Sequence, residues 1–163
     1  MCNTEYFNVT WNLNGSMLYT GEAANEYSTS IIGNYTINFL RDVANGLGDG
    51  KPFHVVAGVR APHNPMTPAP WYVDALPGLR APRGPAYNYS AAGHVPFIAA
   101  EPPLSSVAQW SDLSDEARLD KQFNDRWRTL LSVDDLVAAV VETLEETGLA
   151  AKTYIFYSRY VVV

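Results

Sequence analysis

Lys51-Pro52-Phe53-His54-Val55-Val56-Ala57-Gly58-Val59-Arg60-Ala61-Pro62-His63-Asn64-Pro65 is the stretch on which the reading of the fold turns. Its first half, Phe53 to Val59, is dense in valine, opened by a proline and closed by breakers, which predicts a buried parallel strand. Its second half places a histidine between two prolines. In open α/β sheets, ligands sit beyond the carboxyl ends of strands. The segment Val59 to Pro70 is therefore one expected functional region, and whatever follows Tyr157 is the other.

Working outward, Ile32, Tyr35, Phe39 and Val43 fall three or four apart between Ser28 and Asn45. That is the spacing of one helix face. Ser28 or Ser30 is the expected cap, and Asn45-Gly46 the expected stop. Residues 3 to 26 are rich in Asn, Thr and Gly and predict irregular chain with a short strand near Tyr6 to Trp11.

From Ala61 to Pro103 most of the chain's eleven prolines interrupt every periodicity. A long, stiff, structured loop is expected there, of the kind that carries function. Helical spacing returns from Asp115 to Thr147, through Leu119, Phe123, Trp127, Leu130, Val133, Val137, Val140 or Val141, and Leu144. Ser114 or Asp115 caps it, Gly148 stands at its C′ position, and a break near Ser132 fits as well as one continuous helix. Thr153 to Tyr160 predicts a second buried strand. The order helix, strand, long loop, helix, strand is an α/β pattern.

The 163 residues suit a single domain; 47% are apolar and 17% charged, so a core can form. A net charge of −6 without a Lys/Arg run disfavours a nucleic-acid or anionic-membrane surface. Cys2 is the single cysteine, which excludes an internal disulfide, and it reads as an exposed thiol rather than a nucleophile. No run approaches the length of a membrane span. Sequons at Asn8, Asn14, Asn34 and Asn88 point to the secretory pathway. The opening residues lack a leader pattern, which predicts a missing front end.

His63, with little backbone freedom, can be aimed at an anionic oxygen or exchange a proton. A loop histidine bonded to a carbonyl is the plainer alternative. His54 is expected to be packed or to face a neighbouring helix, and His94, in the proline-rich loop, to reach over the site. Separations of nine and thirty-one residues match no zinc motif. Asp134 and Asp135, adjacent on a helix, diverge and predict a solvated face rather than a metal pair. Arg126 and Arg128, near Asp125, read as surface ion pairs. No hydrolase elbow, P-loop or dinucleotide-binding pattern is present.

Several segments, in order, resemble the sulfatases, in particular the N-acetylglucosamine-6-sulfatase type of the alkaline-phosphatase-like superfamily. They are Tyr6 to Trp11; Lys51-Pro52-Phe53; Arg60-Ala61-Pro62-His63-Asn64-Pro65 with Thr67 to Pro70; Ala81-Pro82-Arg83 with Asn88; Arg126 to Val137; and Leu144 to Gly148 with Thr153 to Ser158. The resemblance implies a partial sulfatase catalytic domain over 1–163, the middle portion of an α/β fold of mainly parallel strands with flanking helices. It also implies sulfate-ester hydrolysis by a hydrated formylglycine, made from the cysteine of a Cys-x-Pro-Ser-Arg motif, beside a calcium ion. His63 matches the family's sulfate-contacting histidine, and His94 is a further substrate-binding candidate.

The departures are equally specific. Cys2 is followed by Asn3, Thr4 and Glu5, so the nucleophile motif is absent, as is the early Asp pair that binds calcium. Where the family continues Ser-Asp-Asn-Gly, this chain has Ser158-Arg159-Tyr160-Val161, and a guanidinium cannot ligate calcium. The isolated chain is therefore expected to bind no metal and to be inactive. In the intact protein the expected partner is a sulfated glycan or small sulfate ester, and the expected location is lysosomal or extracellular. The alternative is a secreted, non-catalytic module that binds a glycan or protein through Arg60, Arg80 and Arg83. A third expectation is that the chain does not fold alone.

Overall fold

The computed structural model describes residues 5–85, 87–89, 92–100 and 115–158. Cys2, Ser114, Arg159 and Tyr160, which carry sequence expectations, lie outside the described residues. The chain divides into two compact units, Met1–Ala61 with Leu130–Val163, and Pro62–Thr129.

The first unit begins with an antiparallel hairpin, β1 (Thr10–Leu13) and β2 (Ser16–Tyr19). Its two-residue loop, Asn14-Gly15, has φ values of 51° and 91°. Paired positive φ is what a tight hairpin with the natural strand twist requires. Hydrogen bonds from Thr20 N to Val9 O and from Asn8 N to Gly21 O, both 3.0 Å, continue the ladder. The strand expected at Tyr6 to Trp11 thus starts later, because the loop fixes the register and Asn8 sits in the left-handed region (φ 54°).

α1 (Ser28–Ala44) follows. Its N-cap is Tyr27, with no side-chain cap bond, rather than Ser28 or Ser30. The free N–H of Ser28 instead donates to Tyr6 O at 2.9 Å, so a neighbouring segment does what a capping hydroxyl would do. Tyr27 is 0% exposed, stacks on Tyr6 at 5.7 Å and meets Phe7 at 5.3 Å. Burial pushes its phenol above the ordinary tyrosine range, with Tyr6 acting in the same sense. Asn45-Gly46 ends the helix as expected: Leu47 N bonds Asp42 O and Gly46 N bonds Val43 O, a Schellman motif.

The buried face of α1 is not the expected one. Thr29, Gly33, Thr36 and Leu40 are buried, whereas Ile32, Phe39 and Val43 are half-buried and Tyr35 is exposed. Small residues win the inner face because another helix comes close: a Cβ on Gly33 would lie 2.8 Å from Leu136 Cδ1.

That helix is α3 (Asp115–Glu146), one continuous element without a break at Ser132. Gly148 (φ 70°) closes it in a second Schellman motif, with Leu149 N on Leu144 O and Gly148 N on Glu145 O. Val133 and Leu144 are buried as expected, but Trp127, Val137 and Val141 are exposed. Thr129, Ser132 and Thr143 are buried instead. Thr143 and Thr129 return their hydroxyl protons to the carbonyls of Ala139 and Arg126, at 2.7 and 2.8 Å, which lets a polar residue sit inside.

Two expectations fail. Among the described residues the sheet is this antiparallel hairpin, and neither 53–59 nor 153–158 forms a ladder. Composition made both segments strand-like, but a strand exists only with a paired neighbour. His54, expected to be packed or to face a neighbouring helix, is accordingly exposed.

In the second unit, the described residues of the proline-rich stretch form turns, a 3-10 turn at Pro70–Tyr72 and the four-residue α2 (Pro96–Ala99), and the unit also holds the first half of α3.

Candidate functional site

His63 opens a tight turn in the second unit: Met66 N donates to His63 O at 3.0 Å, and the Asn64–Pro65 peptide is cis. Met66 and Ala69, just beyond, are buried and anchor the turn, while His63 itself is exposed. Its Nδ1 lies 2.8 Å from Asn64 O. A carbonyl only accepts, so Nδ1 is the donor in this bond. The contact is that of a loop histidine bonded to a carbonyl, and it fixes one nitrogen of the ring against the main chain.

The rest of this stretch is tied down from α3. Asp120 accepts from Ala81 N and pairs with Arg83, both at 2.9 Å. Asn124 Nδ2 donates to Leu76 O at 3.2 Å, and Arg128 Nε to Ala75 O at 2.8 Å. These three residues recur every fourth position, one polar face beside the apolar stripe. That spacing was available in the sequence and went unread. Arg128 is accordingly no mere surface ion pair: it is part-buried, 3.4 Å from the buried Asp125, which also pairs with Lys121. Arg126 is exposed.

Burial would raise the Asp120 carboxyl, but the Ala81 N–H and the Arg83 guanidinium outweigh it and hold the group below the usual carboxylate range. Arg83 also donates to Ala81 O at 2.7 Å and lies 4.7 Å from the Tyr87 ring centre. In the first unit Arg60 lies over the Tyr6 ring at 5.5 Å. Two of the three arginines assigned to a polyanion surface are thus engaged internally.

His94 is exposed in the turn before α2, and no described contact brings it to His63. Asp134 and Asp135 are exposed, as expected of a solvated face. Among the described residues no three His, Cys, Asp or Glu side chains gather as a metal group. Asp120 and Asp125 face Arg or Lys, so they do not fit calcium. Asn8, Asn14, Asn34 and Asn88 are all exposed; Asn8 Nδ2 donates to Glu22 Oε1 at 2.7 Å, and Asn14 forms the hairpin tip. No described helix is long and apolar enough to cross a membrane.

The family profile described as Sulfatase matches residues 1–158. The chain is 36% identical over 159 residues to the N-acetylglucosamine-6-sulfatases of Capra hircus and Homo sapiens, covering 96% of this chain and 26% and 27% of theirs. It is 29% identical over 141 residues to Sulfatase ppz1 of Metarhizium majus, covering 81% of this chain and 31% of that one. The chain thus spans about a quarter of the length of the first two relatives. No solved structure matches.

Proposed function

This chain belongs to the sulfatase family, and from that premise we propose that it is the middle portion of an enzyme hydrolysing sulfate esters, of the N-acetylglucosamine-6-sulfate type in glycosaminoglycans. The observation that carries the reading is the 36% identity to N-acetylglucosamine-6-sulfatases over 96% of the chain. His63, exposed on an anchored turn, is the residue assigned to the sulfate, and His94 is a second substrate contact. The catalytic nucleophile and the carboxylates for calcium come from sequence outside these residues, so the isolated chain turns over nothing. The four exposed sequons support a secretory route to a lysosomal or extracellular location. A glycan-binding module is the weaker reading, because Asp120 neutralises Arg83 and the net charge of −6 repels polyanions.

A graft tests this: the 163 residues replace the matched stretch of the Capra hircus relative, and sulfate release from N-acetylglucosamine 6-sulfate is measured with calcium present. Release by the graft and none by the isolated chain is expected. A folded, secreted graft without activity, or turnover by the isolated chain, overturns the reading.

A further inference from the structure

Trp71, in the second unit, keeps 49% of its surface in water, although burying so large an aromatic body is favourable. The backbone beneath it is fixed. Ala69 is 0% exposed, Pro70 locks its own φ, and Tyr72 N donates to Ala69 O at 2.8 Å to close the 3-10 turn. Ala75 N then donates to Tyr72 O at 3.1 Å, and Arg128 Nε of α3 holds Ala75 O at 2.8 Å. The Tyr72 ring lies 6.2 Å from the indole, tilted by 57°, so the exposed ring has an aromatic neighbour. The same stretch carries His63. That residue precedes the buried Met66 by three positions, and Trp71 follows the buried Ala69 by two. Each thus belongs to its own hydrogen-bonded turn, 63–66 and 69–72, with only Thr67 and Pro68 between the two anchors.

An exposed ring on an immobilised backbone has little freedom left to lose on binding, which is how a rigid aromatic contact gains affinity. The proposed substrate class has two chemically different halves. Its sulfate is an anion and suits an imidazole. Its pyranose ring presents a face of C–H bonds with slight positive charge, which the electron-rich face of an indole attracts. An aliphatic side chain would offer contact area without that field, and a bare anion has no apolar face to lay on the ring. We infer that Trp71 is the sugar contact of this site, stacking on the pyranose of the sulfated N-acetylglucosamine whose ester group is assigned to His63. The inference rests on the reading above and adds to it the residue that reads the sugar rather than the sulfate.

The two reaction products separate the halves, so NMR titration of the calcium-loaded graft with N-acetylglucosamine and, separately, with inorganic sulfate is the test. Trp71→Ala weakens N-acetylglucosamine binding by about tenfold and leaves sulfate binding within about twofold. His63→Ala gives the reverse pattern. Trp71→Tyr, which keeps a ring, retains most of the sugar affinity, whereas Trp71→Leu, which keeps only apolar bulk, does not. The proposal is overturned if a folded graft binds no N-acetylglucosamine, or if Trp71→Ala leaves that binding unchanged, as it would were the indole covered by polypeptide from outside these residues. Equal weakening of both products by Trp71→Ala also overturns it, since the residue would then only hold the fold, and so does full rescue by Trp71→Leu. A graft that releases no sulfate yet shows the expected binding pattern sinks only the sulfatase reading; one that releases sulfate but binds sugar without regard to Trp71 sinks only this inference.

Discussion

Gly33 of α1 faces Leu136 of α3 so closely that a methyl group on the glycine would come within 2.8 Å of the leucine Cδ1. The two helices meet on small residues at this point. Gly33→Ala sets a gain in helix propensity of about 1 kcal/mol against overpacking of about 1–3 kcal/mol. The contacted atom is the tip of a flexible side chain, so the net loss stays below about 1 kcal/mol. Gly33→Val cannot be absorbed and costs about 2 kcal/mol or more. Urea unfolding of the graft distinguishes the two, and equal midpoints for all three proteins would disprove the close approach.

The Asn14-Gly15 loop makes a different demand. A Cβ on Gly15 meets nothing within 4 Å, yet φ is +91°. Gly15→Ala therefore isolates backbone strain, about 1–2 kcal/mol. The sequon survives the change, so glycan occupancy at Asn14 stays as it was while hairpin amides lose protection. Unchanged exchange would argue against the positive φ.

Asp120 ties residues 81–83 to α3, and its carboxyl is held below the ordinary value of 3.8. A depressed carboxylate contributes stability that is present above that value and lost as pH falls through its folded one. Below about pH 4, exchange at the Ala81 amide should rise before the helices melt. In Asp120→Asn, which keeps an acceptor but no charge, this acid step should vanish; its persistence would assign the step to another group.

Legibility followed the range of the interactions. The stops of α1 and α3 were readable because Gly46 and Gly148 answer a local backbone demand. Their buried faces were not, since Gly33 and Thr129 owe their burial to close approach and to hydroxyls bonding their own helix. Valine-rich 53–59 carried strand composition, but pairing requires neighbours that no local pattern supplies. At the candidate site, the prolines announced the rigidity around His63, whereas the Asp120, Asn124 and Arg128 face was visible as spacing and went unread.

The exposed segments bear on handling as well. With Val56, Tyr154 and Phe156 bare, the isolated chain should aggregate at modest concentration. Combining Val56→Lys with Phe156→Lys should raise its soluble yield several-fold. A monodisperse wild-type chain with a cooperative melt would contradict both statements.

His63 carries the last prediction. His63 is exposed, so His63→Ala removes little buried surface. If the ring meets the sulfate, the substitution lowers kcat/KM of the graft by about 10²–10³-fold, the cost of losing a donor aimed at developing negative charge. A fall in kcat means the contact tightens in the transition state; a rise in KM alone means it serves binding. His63→Gln restores a neutral donor and should recover part of the loss, which a purely structural role would not allow. Activity unchanged in His63→Ala would remove the imidazole from the site.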